Sequence, residues 1–356
     1  MPRVLIIDDT PENLMILAEA LQEDYAVSAA NSAKSALKLL DKGLEFDLIL
    51  SDVMMPEISG YDFLEIISRR EDCKGIPVMF LTALSDNKDE YKGLSLGAVD
   101  YVTKPINIPL LKARIKNHIA HKMLRDNLEK EVRERTEQVV FSQQILIEGL
   151  GTLAEFRDPE TGEHIKRTQL YVRLVADYLR TENPKYKDII SEDDVATMFR
   201  AAPLHDIGKV GISDSILLKE GPLTQEEFEK MKHHTLYGFA ALRKIHLKNP
   251  DNNLVRTGMD IALNHHEKWD GSGYPQGASG EEIPLSARIM AVSDIYDALR
   301  SARPYKPAFE HDRCVSIITE GDGRTEPSHF DPDVLDAFKA IKDKFYTISV
   351  EYADKN

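Results

Sequence analysis

The first hundred residues alternate short apolar runs with amphipathic stretches. Val4-Leu5-Ile6-Ile7 is an unbroken apolar run of strand length. Thr10-Pro11-Glu12 then opens a segment in which Leu14, Leu17, Ala18 and Leu21 share one helical face. The beat repeats, predicting strands near 26–29, 46–50, 78–81 and 98–102 and helices near 33–40, 61–68 and 88–94. Five strands with intervening helices imply an α/β domain built on a doubly wound, five-stranded parallel sheet. A further helix is expected over 107–119. Its apolar pattern runs on through Leu124, Leu128, Val132, Val139 and Leu146, densely charged and without glycine or proline before Gly149. That predicts a long linker helix. It is either a partial coiled coil in a parallel dimer, with Arg135 and Ser142 interrupting the seam, or a single solvated helix. Beyond it, apolar positions recur three and four apart, strand alternation almost disappears, and Ser191 and Thr224 offer helix caps, so an all-α bundle is expected. The organisation is therefore read as 1–120, a helical linker at 121–150, and 151–356.

In a doubly wound sheet the functional crevice lies beyond the carboxyl ends of the strands. The strands end in Asp8-Asp9, Ser51-Asp52, Leu81-Thr82 and Val102-Thr103-Lys104-Pro105. Three carboxylates, a hydroxyl and a lysine would meet at one edge. Taken singly, an acidic residue after a strand is usually a solvated loop end. As a set these suit Mg²⁺, and an aspartate beside Mg²⁺ is a competent phosphoryl acceptor.

The second half concentrates histidine. Only His118 and His121 of the eleven precede residue 150. Glu160 and His164 are four apart, His205-Asp206 follows an apolar segment, His234 follows the amphipathic stretch after Thr224, His265-His266 ends another apolar run, and Asp294 lies within 289–299. A lone histidine on an apolar face is usually a core residue, and His118, His121, His246, His311 and His329 are read that way. His233 is left out because His234 has the better spacing to Gly238. Imidazole and carboxylate together suit Fe, Mn, Zn or Ni, and a helical bundle can carry them inward.

Composition narrows the picture. The 356 residues are 42% hydrophobic and 29% charged, as expected of two folded domains. No apolar run reaches the roughly 18 residues of a membrane helix, Met1-Pro-Arg leads directly into a strand, and Cys73 and Cys314 are far apart, so a reducing, cytoplasmic setting is expected. A formal charge of −15 argues against a general nucleic-acid binder but not against a small anion bound in one cleft.

Asp8-Asp9, Asp52-Val-Met-Met-Pro56 with Gly60, Thr82-Ala83 and Lys104-Pro105 resemble, in order and spacing, the receiver domains of two-component response regulators. The resemblance implies that Asp52 accepts a phosphoryl group from a cognate sensor histidine kinase. It further implies Mg²⁺ on Asp9 and Asp52, helped by Asp8 and the main-chain carbonyl of Met54. Lys104 and Thr82 would bind the phosphoryl oxygens, with Thr82 and Tyr101 shifting together as the switch.

His205-Asp206-Ile-Gly-Lys209 and His265-His-Glu-Lys-Trp-Asp-Gly-Ser-Gly273-Tyr274-Pro275 resemble the two signatures of the HD-GYP phosphodiesterases. Arg157-Asp158 through Gly162, Ala287-Arg-Ile and Asp297-Ala-Leu through Arg303-Pro-Tyr-Lys306 extend the likeness. That family hydrolyses cyclic di-GMP. The resemblance implies metal ligands at Glu160, His164, His205, Asp206, His234, His265, His266 and Asp294, holding two or three ions, with Lys209 near the scissile phosphate. Tyr274, Arg303 and Lys306 would contact the nucleotide. Asp206 is the expected bridge, since one carboxylate can span two ions, and Lys209 would stabilise developing charge, giving pGpG or GMP. The alternatives are a catalytically silent cyclic di-GMP sensor acting through protein partners, or an enzyme for another cyclic dinucleotide or pGpG.

Overall fold

A computed structural model describes residues 1–82, 95–155, 163–301 and 308–353. Glu160, Arg303, Lys306 and the helix expected at 88–94 lie outside them. The chain forms two compact units, Met1–Glu137 and Gln138–Asn356.

The first unit holds β1 (Arg3–Ile7), α1 (Pro11–Leu21), β2 (Ala26–Ala30), α2 (Ala33–Asp41), β3 (Leu48–Asp52), α3 (Gly60–Ser68), β4 (Val78–Thr82), β5 (Asp100–Thr103) and the start of α4 (Ile108–Glu155). The strands pair in parallel in the order β2-β1-β3-β4-β5. Their near-continuous apolar runs follow from burial on both faces. Leu5, Ile7, Ile49 and Phe80 pack with Ala36 and Leu40 of α2 and Phe63 and Ile67 of α3. The alternate positions Val4, Ile6, Leu48, Leu50, Met79 and Leu81 pack with Leu17 and Leu21 of α1 and Leu111, Ile115 and Ile119 of α4. Strand β3 starts two residues later than the apolar run suggests, because its pairing with β1 begins at Val4 opposite Leu48. It therefore extends to include Asp52.

Helix α4 is one uninterrupted element of 48 residues. Its first turns belong to the sheet's core, and Ile147 near its far end packs with Leu204, Leu242 and Ala262 of the second unit. Between them Leu124, Leu128, Val132, Val139 and Leu146 are exposed.

The second unit continues with α5 (Glu163–Glu182), α6 (Glu192–Ala201), α7 (Asp214–Leu217), α8 (Gln225–His246), α9 (Asn253–Asn264), α10 (Leu285–Arg300), α11 (His311–Glu320) and α12 (Pro332–Glu351). Its described residues contain no strand. Ser191 and Thr224 each close a capping box, which fixes where α6 and α8 begin. The core joins Tyr171 and Val175 of α5, Met290 and Tyr296 of α10, and Phe338 and Phe345 of α12. Within it Tyr171 stacks on Phe345 at 4.4 Å between ring centroids. Both cysteines are buried and unbonded to each other. Among the described residues no helix is long and apolar enough to cross a membrane.

One close approach governs the second unit's chemistry. A 3₁₀ turn, Ile207–Gly211, lies against α8 so tightly that a Cβ on Gly208 would sit 1.9 Å from the His234 carbonyl oxygen and 2.5 Å from the Gly238 nitrogen. Gly208→Ala is therefore expected to lower stability by about 1–3 kcal/mol. Gly149→Ala, on an exposed stretch of α4 where an added Cβ meets nothing within 4 Å, is expected to raise it by up to about 1 kcal/mol. Urea unfolding midpoints of both variants against the parent chain check the contrast.

Candidate functional site

Four elements bring imidazoles to one place in the second unit. His164 is the second residue of α5, His205 follows the 3₁₀ turn Ala202–Leu204, His234 lies on α8, and His265 directly follows α9. The local backbone orients three of them. Nδ1 of His205 lies 2.9 Å from the Ala202 carbonyl, that of His234 2.8 Å from Met231, and that of His265 3.0 Å from Ile261. A carbonyl oxygen only accepts, so each Nδ1 carries a proton and each Nε2 is left to face the centre. His164 reaches the same state differently, with Nδ1 2.7 Å from Asp297 Oδ2.

Three of these Nε2 atoms converge on Asp206. Its Oδ1 lies 3.2 Å from His234 Nε2 and 3.6 Å from His265 Nε2, and its Oδ2 lies 3.3 Å from His205 Nε2 and 2.8 Å from Lys209 Nζ. His164 Nε2 lies 3.5 Å from His205 Nε2 and 3.9 Å from Asp294 Oδ1. Two sets of potential ligand atoms result, each within 4.8 Å of one another: Asp206, His234, His265 and His266 in one, and His164, His205 and Asp294 in the other. Seven of the eight ligand positions expected from sequence are thus brought together. The eighth, Glu160, lies outside the described residues.

The donor chemistry fits metal ions. Asp206 Oδ1, His234 Nε2 and His265 Nε2 are buried, with no hydrogen-bond partner among the described residues. Lone pairs face lone pairs, an arrangement that a cation between them would relieve. Electrostatics agree. Burial would raise the Asp206 carboxyl, but Lys209 and His205 hold it well below the usual carboxylate range. Burial outweighs the pull of Asp206 at His234 and holds that imidazole down at about 4, and burial with the neighbouring imidazoles depresses His266 too. At His205 burial pushes downward, but Asp206 prevails and the net shift is upward. Neutral rings at His234 and His266 beside an ionised Asp206 are ligand forms that a divalent ion requires.

Tyr274 flanks this centre. Its ring lies 4.8 Å from His266 between centroids, with Phe228 at 6.2 Å and the Lys232 ammonium 5.4 Å from the ring. The loop is drawn tight by Glu267, which is buried and accepts hydrogen bonds from the backbone nitrogens of Gln276 and Ala278. A Cβ on Gly273 would come 2.3 Å from the Lys268 nitrogen, so only glycine allows this return. Arg303 and Lys306 lie outside the described residues. His233 is exposed, and His311 pairs with the Tyr296 hydroxyl instead of joining the centre.

In the first unit the strand ends bring Asp8, Asp9 and Asp52 within ligand distance of one another. Lys104 Nζ lies 2.9 Å from both Asp8 Oδ2 and Asp52 Oδ2. Burial works against its charge, yet the two carboxylates outweigh it and raise its pKa. Thr82 is buried at the end of β4, and its carbonyl accepts from the Lys104 nitrogen. Tyr101 is buried 5.4 Å from the Phe80 ring. Met54 is 66% exposed.

Two buried acids escaped assignment from sequence. Asp297 takes a two-pronged contact from Arg167 at 2.7 and 2.8 Å besides its bond to His164, and these partners overcome burial to hold its carboxyl at about 2. Its position three residues after Asp294, in an apolar helix, was the available signal. Glu267 lies within the segment 265–275, where nothing local marks it as buried.

Two family models match: the response regulator receiver domain over residues 4–116 and the HD domain over 161–334. A Vibrio cholerae protein named "probable cyclic di-GMP phosphodiesterase" is 46% identical over 99% of this chain and 80% of its own length. The cyclic di-GMP phosphodiesterase response regulator RpfG of Xanthomonas campestris is 33% identical over 94% of this chain and 86% of its own. A 3′3′-cGAMP-specific phosphodiesterase of Vibrio cholerae is 33% identical over 64% of this chain and 39% of its own length. Identity at that level across both units, together with the two clustered sites, establishes that the chain belongs to the family of response regulators in which a receiver domain precedes an HD-type phosphodiesterase domain.

Proposed function

We propose that the second unit hydrolyses cyclic di-GMP at a two-metal centre and that phosphorylation of Asp52 controls it. One observation carries the metal part of this reading: Oδ1 of buried Asp206 faces His234 and His265, while its Oδ2 faces His205. Asp206 would be shared between ions held by His234, His265 and His266 on one side and by His164, His205 and Asp294 on the other. When bound, such ions polarise a phosphodiester and lower the pKa of a coordinated water. The protein's own part is orientation and charge. Nδ1 contacts keep Nε2 of His164, His205, His234 and His265 inward, and the Lys209 ammonium lies beside Asp206, positioned to offset negative charge developing on the phosphate. The Tyr274 ring, with Phe228 and Lys232 beside it, offers a face for a guanine. Opening one phosphodiester gives linear pGpG, and a second cleavage gives GMP.

In the first unit Asp52 would accept the phosphoryl group from a sensor histidine kinase. Mg²⁺ would be held by Asp8, Asp9, Asp52 and the Met54 carbonyl, with Lys104, Thr82 and Tyr101 responding. The exposed apolar positions Leu124, Leu128 and Val132 of α4 favour a parallel homodimer as the connecting device.

The likeness to a 3′3′-cGAMP-specific enzyme makes that nucleotide the specific competitor as substrate. Product chromatography with both nucleotides separates them. Turnover of 3′3′-cGAMP without cyclic di-GMP would overturn the substrate assignment.

Asp206→Ala is expected to abolish hydrolysis and lower bound metal, as should a chelator acting on the parent chain. Lys209→Ala should keep its metal while kcat falls by about 10²–10³-fold. Metal analysis beside single-turnover kinetics tests this division of roles, and equal metal loss in both variants would refute it. Asp52→Asn is expected to eliminate labelling by acetyl phosphate and any accompanying change in hydrolysis. Sedimentation of a Leu128→Lys, Val132→Lys variant is expected to show loss of a dimer that the parent chain forms.

A further inference from the structure

His205, His234 and His265 each rest Nδ1 on a carbonyl three or four residues earlier in their own segment. His164 rests its Nδ1 on a carboxylate from a different helix, Asp297 of α10, 133 positions away. Helix α10 thereby approaches both nitrogens of one ring: Asp294 faces Nε2 at 3.9 Å and Asp297 takes Nδ1 at 2.7 Å. Residues three apart share one helical face, so this grip is built into the α10 sequence.

Asp297 is itself locked. Arg167, one turn along α5 from His164, places Nε 2.7 Å from Oδ1 and Nη2 2.8 Å from Oδ2. Its Nη1 donates to the Tyr352 carbonyl at the end of α12, and Nη2 also reaches the Ser301 hydroxyl at 3.0 Å. Both members of the pair are buried, at 0% and 4% exposure. A buried ion pair is an expensive way to fill a core, because an apolar pair of the same shape usually serves as well. Aiming the pair at a candidate ligand gives it a purpose that packing does not.

We infer that Asp297, fixed by Arg167, is a positioning residue that holds His164 as an Nε2 donor and strengthens one of the two metal positions over the other. The inference rests on the metal-centre reading above. Carbonyl backing only selects the tautomer. Carboxylate backing selects it and also makes the opposite nitrogen a stronger donor, and loss of such support lowers metal affinity about 10–100-fold. The two positions are then unequal. The one built from His164, His205 and Asp294 depends on Asp297, while the one built from His234, His265 and His266 does not.

Calorimetric titration of Mn²⁺ into the metal-stripped full chain tests this without recourse to turnover. Beyond any step at Asp8, Asp9 and Asp52 of the first unit, the parent chain should show two binding steps, and the absence of both would remove the metal reading and this inference together. Asp297→Ala should weaken one step about 10–100-fold and leave the other within about twofold. Because that variant strands the Arg167 guanidinium, Asp297→Asn combined with Arg167→Gln provides a companion that replaces the ion pair with two amides and keeps an acceptor for Nδ1. It too should weaken one step while retaining the parent's circular dichroism. Two unchanged steps in either folded variant would overturn the inference. Nitrogen-15 spectra of imidazole-labelled parent protein decide independently of any variant: His164 protonated at Nδ1 supports it, and His164 protonated at Nε2 overturns it.

Discussion

Asp206 is a buried carboxylate set among ring nitrogens that have already committed their protons elsewhere. Its Oδ1 and the Nε2 atoms of His234 and His265 are all electron-rich, and no hydrogen bond joins them. Such a cluster would be unstable in a relaxed protein, and the surrounding fold keeps it from relaxing. The Gly208 turn is pressed against α8 so closely that only a hydrogen fits, which holds Asp206 opposite His234. The capping box at Thr224 fixes where α8 starts. The aromatic core of Tyr171, Tyr296, Phe338 and Phe345 secures α5, α10 and α12, the helices that carry His164, Asp294 and Asp297 among them.

Main-chain carbonyls orient most of these imidazoles, and this is an economical device. The acceptor lies within the same turn as the ring, so forming that turn also fixes which nitrogen faces the backbone. His164 stands near the start of α5, and a side chain supplies its acceptor from across the bundle. That exchange of a local acceptor for a distant one couples α5, α10 and the end of α12 through Arg167. Deformation at any of these elements would be felt at one ligand in particular.

The first unit solves a related problem with a lysine. Asp8 and Asp52 come together at the edge where the strand order reverses, and Lys104 bridges them. Its ammonium balances charge that a cation and a phosphoryl group would rearrange. Helix α4 gives Leu111, Ile115 and Ile119 to the first unit's core, and its Ile147 packs on a small cluster of the second.

Period and spacing in the sequence determined the five strands, the helices over them, the long connector and the all-α character of the second unit. These depend on which face of a local element is apolar, and nearest neighbours suffice to say that. The residues that share the two clusters were also legible, because they sit at strand ends or beside apolar helical runs in recognisable motifs. Asp297, Arg167 and Glu267 were not legible as working groups. For Asp297 the spacing from Asp294 within an apolar helix is a signal of its face but not of its partners, and the partners of all three are supplied by packing. His164 and Asp297 are 133 residues apart, and only the meeting of α5 with α10 makes them neighbours. The tertiary structure likewise decided which oxygen of Asp206 faces which imidazoles and which nitrogen of each ring points inward. Those choices follow from distances of about 3 Å between groups that the chain itself holds far apart.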